Sequence, residues 1–380
     1  MQDLIPIYKT SITFEDQNYF LKILNSNNLT SDKITKKFEY SVADTLNRKH
    51  AISTANGSLG MLISLLGLKI GKGDDVILPA LCPISCANAV IQTGATPIFC
   101  DIDPKFLNIN TTNVESLITN NTKAIIFVNN FGNPTNLDQL EKLCQKYEIT
   151  LIEDFRDAIG SKLNKNPAGS FGRVSVGSFS CNKMITTGEG GIILTNDNVL
   201  ATNCRKLQNH GIIETNNKIG NSQLCGFGFN AKLPSINAAL GFGQLQRLDE
   251  IIKKRELLAQ YYIEELRNNN NVILPTITNE IQIGWNSFIV RLSDSYSGKD
   301  RNKIIDDLRI HDIGSEPYHP SIKFVPFYET YVKDKKYPIS ETVSKRCIAL
   351  PMHENLSKKD IHLICQTLDM IIKRLNFGRN

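Results

Sequence analysis

The 380-residue chain lacks an apolar run of the about 20 residues needed to cross a bilayer; its best candidate, Leu59 to Leu68, stops at Lys69. The start, Met1 to Thr10, has no secretory signal pattern, because Asp3 and Pro6 interrupt any apolar stretch. A cytoplasmic protein without membrane contact is the expectation. Nine cysteines occur, at 82, 86, 100, 144, 181, 204, 225, 347 and 365, without one CxxC pair. That odd number and spacing disfavour a zinc site or a disulfide framework and leave the thiols as small buried apolar groups. An excess of one charge sign is also missing: 43 Lys and Arg face 38 Asp and Glu, giving +5, with the lysines scattered. Such a surface attracts small anions weakly and carries no nucleic-acid footprint. There is no internal repeat.

What is present is the composition of an ordinary soluble globular protein, 41% apolar, long enough for two or three domains. From about residue 50, apolar β-type runs alternate with helical stretches. The strands are Asp75 to Leu78, Thr96 to Cys100, Ala124 to Val128, Thr150 to Ile152, Val174 to Phe179 and Gly191 to Leu194. Helical runs such as Ser58 to Leu68, Ser85 to Gln92 and Leu137 to Tyr147 fill the gaps. This predicts an α/β fold with a mostly parallel central sheet covered by helices on both faces. Ser235 to Arg267 keeps a helical period after Pro234 and predicts one long helix bridging two domains. Beyond it, Phe288 to Leu292, Asp300 to Ile310, a proline-rich loop and a last helix from Lys358 to Leu375 predict a smaller α+β unit. The expected division is a large domain over 1–245 and a small one over 246–380.

Ligands of open α/β sheets gather beyond the carboxyl ends of the strands, and three features fall there. Asn56-Gly57-Ser58 opens a helix with free backbone N–H groups, a glycine and a hydroxyl, a phosphate cradle or an ordinary N-cap. Glu153-Asp154 closes an apolar strand, with Asp157 three residues on; such acids face a cationic ligand or cap the next turn. Lys183 follows Ser178-Phe179-Ser180-Cys181-Asn182 and precedes two threonines and three glycines that allow backbone to approach a ligand. An amine in such a crevice can form a Schiff base, although a lone lysine is usually solvated surface.

In order along the chain stand NGS (56–58), GDDVILPAL (73–81), GATPIFCDID (94–103), FGNP (131–134), IED (152–154), SFxxNKxITTGEGG (178–191), NHG (209–211) and GFNxKLPSINAALG (228–241). The set resembles the sugar aminotransferases of the DegT/DnrJ/EryC1/StrS family, pyridoxal-phosphate enzymes of the aspartate-aminotransferase fold, called fold type I. The resemblance runs from about residue 5 to 375. It implies that Lys183 bonds the cofactor and shuttles the reaction's proton. It also implies that Asp154 pairs with the ring nitrogen, keeping it protonated so that the ring serves as an electron sink. Asp157 takes a place usually held by Gln or Glu near the ring, with shorter reach. Gly57, Ser58 and Ser178 match the phosphate binders. Asn230 matches an asparagine reaching in from the neighbouring subunit, which implies a homodimer with shared sites; without the resemblance it reads first as a turn residue before the long helix.

Several positions depart from the family pattern. An aromatic usually stacks on the ring where this chain has Pro83, and the arginine expected two residues after the shared asparagine is Lys232. The histidine of the C-terminal substrate loop corresponds to Lys323, with His319 nearby; both are candidate contacts for the sugar or its diphosphate. His210 either meets substrate or ends a helix.

The implied reaction moves an amino group from glutamate to a keto group of a nucleotide-linked deoxy sugar, with pyridoxamine phosphate formed between the halves. NKxITTGEGG is more similar to enzymes acting at C4 than at C3. An O-antigen or capsule sugar, a protein glycan and an antibiotic sugar all fit the product. The related 3-dehydratases, similar in VILPALC and DAIGS, carry a histidine where Lys183 stands. A cofactor-binding regulator without turnover is the remaining alternative, and no DNA-binding helix pair or basic tail supports it.

Overall fold

The structure, a computed structural model, describes residues 5–377 except 27–28, 30–31, 215–221 and 225. Cys225 therefore lies outside the described residues. Two helices that the sequence pattern does not announce come first, α1 (Phe14–Asn25) and α2 (Asp32–Thr45). Thr13 caps α1 reciprocally with Asp16, a capping box.

The main sheet has seven strands: β1 (His50–Thr54), β2 (Asp75–Pro79), β3 (Thr96–Cys100), β4 (Thr122–Val128), β5 (Thr150–Asp154), then β8 (Val174–Ser178) and β9 (Gly191–Thr195), in the order β1-β9-β8-β5-β4-β2-β3. The short β6 (Lys162–Leu163) and β7 (Asn166–Pro167) lie between β5 and β8 in sequence and pair outside this sheet. Strands β3, β2, β4, β5 and β8 run parallel, and β9 runs antiparallel to both β8 and β1. The runs AIIFV and LIED are buried throughout, as strands covered on both faces require. The expected mostly parallel α/β architecture is present. Covering helices are α3 (Gly57–Gly67), α4 (Ile84–Gln92), α5 (Thr111–Leu117), α6 (Leu137–Lys146) and α7 (Asn198–Gln208), followed by the hairpin β10 (Ile212–Glu214) and β11 (Ser222–Leu224).

The single long helix expected over 235–267 is two helices, α8 (Ser235–Gln246) and α9 (Leu248–Leu266). Arg247 leaves helical geometry at φ −114° and ψ 22°. Its guanidinium is held by Asp16 Oδ2 at 2.8 Å and by the Ser11 carbonyl, partners that a helical period cannot reveal.

A second sheet follows in the order β12 (Val272–Ile273), β14 (Phe288–Leu292), β16 (Cys347–Leu350), β15 (Glu316–Pro317), while β13 (Ile281–Gln282) pairs with β6. Helices α10 (Gly298–Ile310), α11 (Glu329–Val332), α12 (Pro338–Arg346) and α13 (Lys358–Phe377) complete this unit. Its core joins Tyr262 of α9, stacked on Phe288 at 4.4 Å, to Leu308 and Leu368. The chain start belongs here too: Gly314 donates to the Ile5 carbonyl and Met352 to that of Ile7. Seven of the eight described cysteines are buried, as small apolar residues are; Cys181 is exposed. Among the described residues, no helix is long and apolar enough to cross a membrane.

Candidate active site

The ends of β1 and β8 are drawn together by one residue, since Thr54 and Ser178 both pair with Gly191. Just beyond Thr54, Asn56 caps α3 by accepting from Leu59 N–H at 2.9 Å. A Cβ on buried Gly57 would lie 3.0 Å from Ser178 Cβ, so glycine is what lets the helix start and the Ser178 hydroxyl converge. Ser58 is exposed at the same helix start. Backbone N–H groups of a first helical turn beside two hydroxyls form an anion cradle.

Two of the three glycines after Lys183, Gly190 and Gly191, make room for neighbouring protein groups. A Cβ on Gly191 would land on the Asn56 carbonyl, and one on Gly190 on the Thr187 hydroxyl. Thr186 and Thr187 are buried, with Thr187 Oγ1 donating to the Glu189 carbonyl at 2.7 Å. This run packs β9 against the anion cradle; it supports the site from behind.

Glu153 and Asp154, being successive on a strand, face opposite ways. Glu153 accepts from the N–H groups of Gly169 at 2.8 Å and Phe171 at 3.0 Å, and burial pushes its carboxyl up to about 7. It is a buried brace. Asp154, 1% exposed, is held by Arg156: Nε lies 2.9 and 2.8 Å from the two carboxylate oxygens and Nη2 lies 2.6 Å from Oδ2. Cys86 Sγ, whose thiol burial and Asp154 push well above its usual range, donates to the same Oδ2 at 2.9 Å. Arg156 is a residue that the sequence pattern did not single out, though it lies between Asp154 and Asp157.

Asp157 is the hub of the site. Lys183 Nζ approaches its Oδ1 at 2.6 Å, and Asn286 Nδ2 donates to the same atom at 3.2 Å. Asn286 also accepts from Met184 N–H at 2.8 Å, which fixes the lysine's backbone. Tyr318 OH stands 3.5 Å from Asp157 Oδ2 and stacks on Phe131 at 4.3 Å between ring centres. Burial opposes ionisation of Asp157, but the Lys183 ammonium, with His319 beside it, holds the carboxyl well below its usual range. Gly132 of FGNP completes the wall, for a Cβ there would sit 2.8 Å from the Asp157 carbonyl. Asn286 and Tyr318 carried no signal in their own sequence neighbourhoods.

The structure places the remaining candidates unevenly. His319 Nε2 is 3.9 Å from Asp157 Oδ2, beyond hydrogen-bonding distance, and this buried atom makes no hydrogen bond among the described residues. Pro83, buried, is the N-cap residue of α4, and the Arg156 guanidinium reaches Ser85 two residues on. Lys323 departs from the expected substrate contact, because its ammonium is taken by the carbonyls of Val332 at 2.7 Å, Lys333 at 3.1 Å and Lys335 at 2.9 Å. His210, exposed at φ +53°, ends α7 with Gly211 and donates its N–H to the Phe229 carbonyl. Asn230 is exposed in a groove shared with Glu39, Arg205, Asn209 and Lys232, whose Nζ bonds Asn209 at 2.7 Å. That groove adjoins the cradle through Ala55, whose N–H donates to the Ala231 carbonyl.

A buried amine for an aldehyde, a buried carboxylate for a cation and an anion cradle fit the chemistry of pyridoxal phosphate. The model of the DegT/DnrJ/EryC1/StrS aminotransferase family matches residues 10–369. GDP-perosamine synthase of Caulobacter vibrioides is 33% identical over 377 residues, 98% of this chain and 100% of that protein. The protein of the same name from Escherichia coli O157:H7 is 31% identical over 366 residues, 96% of this chain and 98% of that one. The crystal structure of the aminotransferase TlmJ from Streptoalloteichus hindustanus superposes with a TM-score of 0.91 at 25% identity, covering 98% and 100% of the two chains. Fold, site chemistry and relatives agree: the chain belongs to the DegT/DnrJ/EryC1/StrS aminotransferase family and is a sugar aminotransferase that works with pyridoxal phosphate.

Proposed function

We propose that the protein transfers the amino group of glutamate to a keto carbon, C4 rather than C3, of a nucleotide-linked deoxy sugar. The observation that carries this reading is the buried Lys183 amine at 2.6 Å from Asp157, beside the cradle of Gly57, Ser58 and Ser178. Pyridoxal phosphate, held by that cradle and by Asp154, supplies the electron sink for amino transfer. Lys183 Nζ takes the proton from the donor's α-carbon and returns one to the sugar carbon in the reverse sense. Asp157 orients that amine, and His319 offers Nε2 to the sugar or its diphosphate.

The name GDP-perosamine synthase, borne by relatives, supports a GDP-linked sugar product. The C4 preference is supported by NKxITTGEGG (182–191). Lys183, in place of the dehydratases' histidine, supports transfer over deoxygenation. Exposed Asn230 in its basic groove supports a homodimer with shared sites, built from a domain over 1–245 and one over 246–380. Work in the cytoplasm on a surface-antigen sugar agrees with this chemistry.

The test is direct. The purified protein with glutamate and either a GDP-linked 4-keto or 3-keto deoxy sugar is analysed by mass spectrometry and NMR for the aminated product and 2-oxoglutarate. Amination of the 4-keto sugar is expected. Deoxygenation without amination would instead establish the dehydratase, and amination of only the 3-keto sugar would move the site of attack.

A further inference from the structure

Asp154 does not wait alone for a cation. Its Oδ1 accepts from Arg156 N–H at 3.1 Å and Nε at 2.9 Å, and its Oδ2 receives Arg156 Nε at 2.8 Å, Nη2 at 2.6 Å and Cys86 Sγ at 2.9 Å. The guanidinium is turned inward, its side chain only 12% exposed, and Nη1 is pinned by Ser85 Oγ at 2.7 Å. Three elements fix this arrangement: the end of β5, the turn after it and the first turn of α4. A guanidinium does not deprotonate in proteins, so the carboxylate's charge is balanced at every working pH.

We propose that Arg156 shares the Asp154 carboxylate with the ring nitrogen of pyridoxal phosphate and holds that nitrogen less firmly protonated than Asp154 alone would. The inference rests on Asp154 being the ring nitrogen's partner. A carboxylate facing one cation stabilises it fully; a carboxylate already neutralised offers a second cation less, and the two cations repel. Two unit charges about 5 Å apart at an effective dielectric of about 20 interact by an amount equal to about two pH units of titration. Arg156 is thus a positioning residue that acts through Asp154. The ring becomes a milder electron sink, and cofactor binding must share a carboxylate that is already bonded.

The experiment loads the protein with pyridoxal phosphate carrying ¹⁵N in the ring and follows the nitrogen resonance against pH in wild type, Arg156→Met, Arg156→Gln and Asp154→Asn. In Arg156→Met the nitrogen is expected to stay protonated to a pH about one to two units higher. The cofactor should also bind about tenfold or more tightly. Arg156→Gln, which keeps a polar side chain in the turn, carries the same expectation if the methionine variant does not fold. A merely structural arginine would not move the nitrogen's titration. An unchanged midpoint in both variants, or a shift to lower pH, overturns the proposal. Asp154→Asn separates the two layers: if it leaves the midpoint where wild type has it, the reading of Asp154 fails and Arg156's role with it. If it lowers the midpoint while the Arg156 variants do nothing, Arg156's role alone falls.

Discussion

Lys183 Nζ and Asp157 Oδ1 stand 2.6 Å apart, with only 10% and 11% of their side chains exposed. The amine needed for chemistry is thus also half of a buried ion pair in the cofactor-free chain. Lys183→Ala therefore does more than remove a reactive group. It leaves the Asp157 charge to Asn286 and His319, and breaking one side of a buried pair costs about 3 kcal/mol. Urea titration of the cofactor-free protein should show that loss, within the about 5–15 kcal/mol of an ordinary fold, while amino transfer disappears. Retained transfer would assign the chemistry to another lysine.

The same pair gives stability a pH dependence whose sign is fixed. The Asp157 carboxyl is held below its usual range in the folded protein, so the unfolded chain binds its proton first as pH falls. The contribution is full above the unfolded value of about 3.9 and is lost as pH drops toward the folded one. Cofactor-free wild type should exceed Asp157→Asn in stability most clearly above about pH 4, with the gap closing in more acid solution. A gap that stayed constant from neutral to strongly acid pH would show that the ion pair is not its source.

Local pattern made some of this site legible and left the rest hidden for a physical reason. Asn56-Gly57-Ser58, Asp154 and Lys183 lie where a strand stops, and strand ends are visible in a run of apolar residues. Asn286 meets Met184 across 102 positions of sequence, and Tyr318 meets Asp157 across 161. No window of periodicity contains both partners. The break at Arg247 has the same origin, since Asp16, which holds it, is 231 residues away. Arg156 is the opposite case: it stood two residues from Asp154 in plain view, but whether its guanidinium turns inward is decided by Ser85 and Cys86 on another element.

Gly191 is expected to matter to cofactor binding without touching the cofactor. A methyl group there would collide with the Asn56 carbonyl, so the Asn56-Gly57-Ser58 turn must shift. Overpacking of this kind costs about 1–3 kcal/mol. Gly191→Ala should weaken pyridoxal-phosphate binding by about tenfold or more, measured by equilibrium titration. Gly71→Ala is the control, because its added Cβ would meet only Thr93 O at an ordinary 3.5 Å. Equal affinity in both variants would uncouple β9 from the cradle.

Lys323 decides between two roles that predict different observables. Its three N–H donors all go to carbonyls at and after the end of α11, where a cation also complements the helix terminus. Lys323→Met keeps the stem's packing and removes those bonds, and water can reach part of what is freed. The expected cost is about 1–2 kcal/mol of stability, read by urea titration. KM for the nucleotide sugar should stay within about twofold, since RT ln 2 is a few tenths of a kcal/mol. His319→Ala should behave in the opposite way, raising KM with little loss of stability, because its Nε2 makes no hydrogen bond among the described residues and faces Asp157 only at 3.9 Å. A Lys323→Met enzyme with wild-type stability and a KM raised about tenfold would return that lysine to the substrate.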